Sequence, residues 1–150
     1  MSNKLDDFVD RLQEQIYDEA KTALGTKGFE RWLNPRYRGI IENPDGYASI
    51  TGACGDTMQI FLKLENECVT EATFQTDGCG SSTVCGSFAA ELALGKNPDA
   101  LAEITGETIL GLLGRLPEEE RHCAYLAAET LQAALHSYMK KSINRKRKMD

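Results

Sequence analysis

Long apolar runs are missing from this 150-residue sequence: none exceeds a few residues, which excludes a membrane-spanning helix of about 20 apolar residues. Nucleotide signatures are missing too. Neither G-x-x-x-x-G-K-[ST] nor G-x-G-x-x-G occurs, and Gly95-Lys96 ends a helix pattern rather than opening one. The absence of a G-x-S-x-G elbow, of H-E-x-x-H and of C-x-x-C removes the serine hydrolase, zincin and thioredoxin classes. The opening MSNKLDDFVDRL has acids where a secretory signal has basic and apolar residues, so a cytoplasmic location is expected. Five cysteines (54, 68, 79, 85 and 123) are an odd number for such a chain, and they point to thiol, metal or sulfur chemistry rather than a disulfide framework.

What is present reads as one globular domain: 41% apolar and 27% charged residues, in a length that buries about 68–70% of the unfolded surface without staples. The net charge of −6 is unevenly spread. Six of the 17 basic side chains and one of the 23 acidic ones fall from Lys140 onward, so residues 140–150 carry +5 and residues 1–139 carry −11. An acidic body tracks phosphates poorly, so neither nucleic acid nor a membrane is expected as a partner. The basic tail is either a solvated end or a contact for an acidic surface.

Periodicity divides the chain. Leu5, Phe8, Val9, Leu12, Ile16, Ala20 and Leu24 recur at helical spacing, predicting an amphipathic helix over 4–24 that Gly25 and Gly28 punctuate. From Gly39 the period becomes two. Asn43-Pro44-Asp45-Gly46 is a turn, and strands are expected over 47–53, 58–65 and 68–76. Ser81 or Ser82 caps a helix running to Gly95, Asn97-Pro98 and Thr105–Gly114 mark two shorter helices, and Leu116-Pro117 opens the last. In that one, Ala124, Ala127, Leu131, Leu135 and Tyr138 form a stripe. The expected fold is α+β: a three- to four-stranded antiparallel sheet with helices on one face, plus an N-terminal amphipathic helix. The expected units are an N-terminal helix and approach segment (1–33), a main domain (34–139) and the basic tail (140–150).

Three cysteines lie where elements end. Cys54, in Ala53-Cys54-Gly55-Asp56, sits at a break between strands, where glycine lets a thiolate and a carboxylate face one point. Cys79, in Gly78-Cys79-Gly80-Ser81, sits at a strand-to-helix turn whose helix N-terminus favours a thiolate. Cys123 follows His122 near the start of the last helix. A single cysteine is ordinarily a small buried hydrophobe, but these three occupy polar, glycine-flanked or helix-end positions. Cys68 has the strand parity of Ala72 and Phe74, and Cys85 the helical face of Phe88, Ala89 and Leu92, so both are expected in the core. His136 reads as surface or core edge. Glu118-Glu119-Glu120 suits a helix start.

Asn34-Pro35-Arg36, Gly39, Ala53-Cys54-Gly55-Asp56, Gly78-Cys79-Gly80-Ser81, Gly95-Lys96, Leu116-Pro117 and His122-Cys123 occur in this order. From about residue 34 to 138 this set resembles the U-type iron–sulfur cluster scaffolds, IscU and the N-terminal domain of NifU. The resemblance implies a non-enzymatic scaffold that builds a labile [2Fe-2S] cluster and transfers it to apo iron–sulfur proteins. It implies sulfur delivered as persulfide by a cysteine desulfurase, with Cys123 as acceptor, and a metal set drawn from Cys54, Asp56, Cys79, His122 and Cys123. Mixed thiolate and harder ligands hold a cluster less firmly than four thiolates, and the same set suits Zn²⁺. The alternative is a zinc-dependent, persulfide-accepting sulfurtransferase of the SufU kind, but those members lack the histidine before the last cysteine and carry an insertion not evident here. Glu118-Glu119-Glu120 stands where IscU-type members have an apolar and a basic residue for chaperone docking, so weak or no docking is expected. The approach to Asn34 is longer than usual, and the basic ending is unlike a full-length NifU.

Overall fold

The computed structural model describes residues 3–78, 80–114 and 116–149, with Lys148 and Met149 described by backbone alone. The elements run α1 (Lys4–Leu33), β1 (Gly46–Thr51), β2 (Thr57–Glu65), β3 (Cys68–Thr76), α2 (Gly80–Ala93), α3 (Pro98–Ala102), α4 (Gly106–Leu113), a one-turn 3-10 helix (Glu118–Glu120) and α5 (His122–Met149). The three strands form an antiparallel sheet in the order β1-β2-β3, with Ile60 facing Ala48 on one side and Phe74 on the other. The fold class is therefore the expected α+β sandwich.

Alternation places Met58, Ile60, Leu62, Ala72 and Phe74 on one face of the sheet, where α2 and α5 cover them. The covering faces are Val84, Cys85, Phe88 and Ala89 from α2, with Ala124, Ala127, Leu131 and Leu135 from α5. Each large apolar side chain buried this way contributes about 1.5–3 kcal/mol. The short helices are held by the turn chemistry the sequence advertises. Asn97 caps α3 with Pro98 at its start, and Thr105 and Thr108 form a reciprocal cap on α4. Gln132 of α5 donates to the carbonyls of Leu101 and Ile104, both at 2.8 Å, tying off the end of α3.

Three features differ from expectation. The first helical segment ends near residue 24, as expected, but the approach after it is helical too. Gly25, at φ 77°, breaks it and a second helical segment continues to Leu33. The Tyr17 ring lies 5.9 Å from Phe29 and 6.2 Å from Trp32, whereas residues so far apart on a straight helix stand more than about 18 Å apart, so Gly25 folds the two segments against each other. Arg31 anchors the second segment to α2. Its guanidinium is buried, 3.0 Å from Glu91 and from Ser87 Oγ, and 4.1 Å from the centre of the Phe88 ring. Of the predicted apolar stripe only Leu24 is buried; Leu5, Phe8, Val9, Leu12 and Ile16 are exposed.

The second difference is the stretch from Gly39, which makes a single bridge from Arg38 to Phe74 and no fourth strand among the described residues. Pro35 and Pro44 bracket it, and Tyr37 (φ 68°) and Asn43 (φ 53°) depart from extended backbone. Third, Cys68 is exposed, not core. The ladder pairs Lys63 with Glu71 but Leu64 with Val69, so Thr70 is an extra residue and the bulge shifts the parity of everything before it. Val69 takes the buried place that Cys68 was expected to fill. Cys85 is fully buried, as read, and His136 is exposed.

Helix α5 carries the basic residues from Lys140 onward as a continuous extension. Lys141 donates to the Pro44 carbonyl at 3.2 Å, and Arg145 stands 3.9 Å from Asp45 in the turn before β1.

Candidate functional site

The chemistry-bearing residues gather where the β1–β2 turn, the end of β3, the start of α2 and the start of α5 meet. The β1–β2 turn is closed by Gly52 N–H donating to the Asp56 carbonyl (2.9 Å) and Gly55 N–H to the Gly52 carbonyl (3.0 Å). Cys54 is at the exposed tip as a free thiol, and Asp56 is half-buried one turn further on. The end of β3 is tied to the start of β2. Thr57 N–H donates to Asp77 Oδ1 (2.8 Å), Thr76 Oγ1 donates to the Thr57 carbonyl (2.8 Å), and Gly78 N–H donates to Thr76 Oγ1 (3.0 Å).

Against this frame the first turn of α2 presents two hydroxyls. Ser82, fully buried, has its Oγ 3.0 Å from Asp56 Oδ2 and 3.4 Å from Cys123 Sγ. Ser81 donates to Glu120 of the 3-10 turn. Cys123 is fully buried at the start of α5, while the exposed His122 brings Nε2 to 3.7 Å from its sulfur. His122, Cys123, Ser82 and Asp56 thus form one continuous line of polar contacts.

The backbone on both sides of residue 79 is packed too closely for a side chain. A Cβ on Gly78 would lie 2.6 Å from Ser82 Oγ and 2.7 Å from Asp56 Oδ2, and one on Gly80 would lie 2.6 Å from Trp32 Nε1. Glycine at these positions lets the loop press directly on the Asp56–Ser82 pair and on the indole. On the outer side, Cys54, His122, Tyr125, Leu126 and Glu129 line an open cavity of 430 Å³. The Tyr125 hydroxyl donates to Glu107 Oε1 at 3.0 Å. That bond, more than anything else, raises the Tyr125 pKa above its ordinary value. The Glu107 carboxyl is held below its ordinary value by its own backbone N–H first and the Tyr125 hydroxyl second.

A sequence model described as the NifU-like N terminal domain matches residues 25–145. The chain belongs to this family. It is 36% identical over 117 residues to the iron-sulfur cluster assembly scaffold protein IscU 1 of Archaeoglobus fulgidus, covering 77% of this chain and 76% of that one. It is 35% identical over 118 residues to the iron-sulfur cluster assembly scaffold protein IscU of Aquifex aeolicus, covering 77% and 75%. In three dimensions it is similar to the crystal structure of a nitrogen-fixing NifU-like protein (N-terminal) from Brucella abortus, with a TM-score of 0.64 at 19% identity over 81% of this chain and 97% of that one. The family match begins at Gly25, the residue where α1 breaks.

Of the residues singled out from sequence, Asp56, His122 and Cys123 meet through Ser82, and Cys54 shares a cavity with His122. Cys79 lies outside the described residues. Among the described residues no three His, Cys, Asp or Glu side chains stand together closely enough to hold a metal ion. Sequence reading took Ser81 and Ser82 only as helix caps and Glu120 only as part of an acidic helix start in the chaperone-docking position; two hydroxyls directly after Cys79-Gly80 were the available signal. Nothing local in the sequence marks Tyr125, Glu107 or Trp32, which reach the site through tertiary packing.

Proposed function

We propose that this chain is a cytoplasmic scaffold on which an iron–sulfur cluster is assembled and from which it is passed to apo iron–sulfur proteins: a carrier, not an enzyme. The observation that supports this reading is the line of contacts from His122 through Cys123 and Ser82 to Asp56, beside the turn of Cys54, in a chain whose relatives are named as cluster scaffolds. The ligands are drawn from Cys54, Cys79, Cys123, Asp56 and His122. Thiolates bind iron strongly, while a carboxylate or imidazole in the fourth place exchanges more readily, which suits a cargo that must leave.

Sulfur arrives on the persulfide of a cysteine desulfurase. The Cys123 thiolate attacks its outer sulfur, a new S–S bond forms at Cys123, and the desulfurase cysteine departs as thiolate. Two such sulfurs need four electrons to become sulfide; two Fe²⁺ passing to Fe³⁺ supply two, and an external electron donor supplies the others. Because Cys123 is fully buried, this step requires the start of α5 to move aside. The run Glu118–Glu120 presents negative charge beside the site, so a chaperone that docks on a basic, apolar segment binds here weakly.

The test is anaerobic reconstitution with iron, cysteine, a desulfurase and a thiol reductant as the external electron donor, followed by visible and Mössbauer spectra and transfer to an apo-ferredoxin. A [2Fe-2S] spectrum and transfer are expected. Persulfide at Cys123 with tightly held zinc and no cluster would instead establish the sulfurtransferase reading.

A further inference from the structure

Ser82 has one hydroxyl proton and two acceptors within reach, Asp56 Oδ2 at 3.0 Å and Cys123 Sγ at 3.4 Å, and no solvent to turn to. A charged oxygen takes the stronger hydrogen bond, so the carboxylate is the preferred partner. A buried hydroxyl stranded without a partner is costly. With the sulfur already in contact, however, Asp56 can turn away and leave Ser82 satisfied. The carboxylate is free to do so: it is half-buried, and it follows Gly55 (φ 94°) on a turn whose tip is exposed. Gly78 closes the other side, where a Cβ would collide with both Ser82 Oγ and Asp56 Oδ2, so the Asp56–Ser82 pair is kept in a slot of fixed size.

We propose that Ser82 is a positioning residue that serves as the resting partner of the Asp56 carboxylate, competing with bound metal for it and so hastening release, while Cys123 Sγ keeps the hydroxyl paired whenever Asp56 is away. This rests on reading Asp56 as a ligand. Removing the hydroxyl takes away the place to which Asp56 retreats, and the carboxylate then stays on the metal longer. The two residues act on one step, so the effect of Ser82 exists only where a carboxylate stands at position 56.

The probe is Co²⁺ bound to the full-length chain. Its thiolate-to-metal bands report sulfur ligation, and their decay with excess chelator in a stopped flow gives the release rate. Ser82→Ala is expected to slow release about tenfold, near the lower end of what a hydrogen bond to a charged group is worth. The sulfur bands should be unchanged, Ser82→Thr should restore fast release, and in an Asp56→Asn background Ser82→Ala should have no effect. Circular dichroism checks the fold of each variant, and Ser82→Gly, which also lacks the hydroxyl, replaces Ser82→Ala if that variant is unfolded. Release at the wild-type rate in the folded variant, or equal slowing in the Asp56→Asn background, overturns the role of Ser82 while leaving the ligand set standing. A wild-type chain that binds Co²⁺ without thiolate bands overturns the site reading and this role with it.

Discussion

Cys54 and Cys123 are two sulfurs of one proposed site in opposite surroundings. Cys54 stands exposed on a short turn between strands, beside an open cavity. Cys123 is fully enclosed at the start of α5, beside His122 and against Ser82. The difference teaches that a transferable cargo can be held by one wall that is part of the core and one that is not. On that proposal the core wall would fix position, and the exposed turn would leave metal a way in and out.

The largest expected effect comes from substituting the two sulfurs. Cys123→Ser puts a hydroxyl in a buried place shaped for sulfur and should lower stability by about 1–3 kcal/mol as well as abolish cluster binding. Cys54→Ser should abolish binding with stability within about 0.5 kcal/mol of wild type, as at most surface positions. Chemical denaturation and reconstitution of both variants would check this; equal loss of stability would break the contrast. Next is reactivity. Cys54 should be alkylated by iodoacetamide at least about tenfold faster than Cys123, which must wait for local opening. Peptide mass spectrometry after timed quenching measures both rates, with the exposed Cys68 as an internal standard.

Asp56 lies between the two walls. Asp56→Ala should cost about 1.5 kcal/mol in stability, for the hydrogen bond from Ser82, yet slow cluster loss to a chelator and transfer to an apo-ferredoxin, because His122 then fills the fourth place and the exchangeable ligand that admits water and protons has gone. Absorbance decay at the wild-type rate would show that the carboxylate does not tune the site. The smallest effect is the pH response at the outer rim. The Glu107 pKa is lowered, so its contribution to stability is present above the ordinary carboxyl range and is lost as pH falls through the folded value. The Tyr125 pKa is raised above 10.0, so its contribution is present below that value and is lost as pH rises through the folded one. The unfolding midpoint of Tyr125→Phe should therefore differ from wild type from mildly acidic through mildly alkaline pH, and converge with it at both extremes.

Much of this arrangement was legible in the sequence because it depends on local chemistry. Asn97-Pro98, Thr105 and Gly114 mark the ends of α3 and α4, and alternation from Met58 to Leu62 marks the buried face of β2. Of the residues in the Cys54–Asp56 and His122–Cys123 motifs, Asp56 and Cys123 each contact Ser82, and His122 contacts Cys123. What escaped depends on partners far along the chain. One extra residue, Thr70, reverses the facing of Cys68, and no propensity at Cys68 itself encodes that. Glycines 25 and 28 read as an ending; Gly25 does end the first helical segment, but Gly28 lies inside a second one, buried against Leu24 and Leu113. Ser82 has the composition of a helix cap, and its two acceptors come from positions 26 and 41 residues away.

The chain has a single tryptophan, and the fold presses it against the backbone of Gly80, next to the proposed cargo. In optical terms this is a lamp built in beside the load. Sulfide-to-iron charge-transfer bands overlap indole emission, so a bound cluster should quench Trp32 by energy transfer and its departure should restore the signal. Assembly and delivery can then be timed on the unlabelled protein, in the presence of any acceptor that lacks tryptophan.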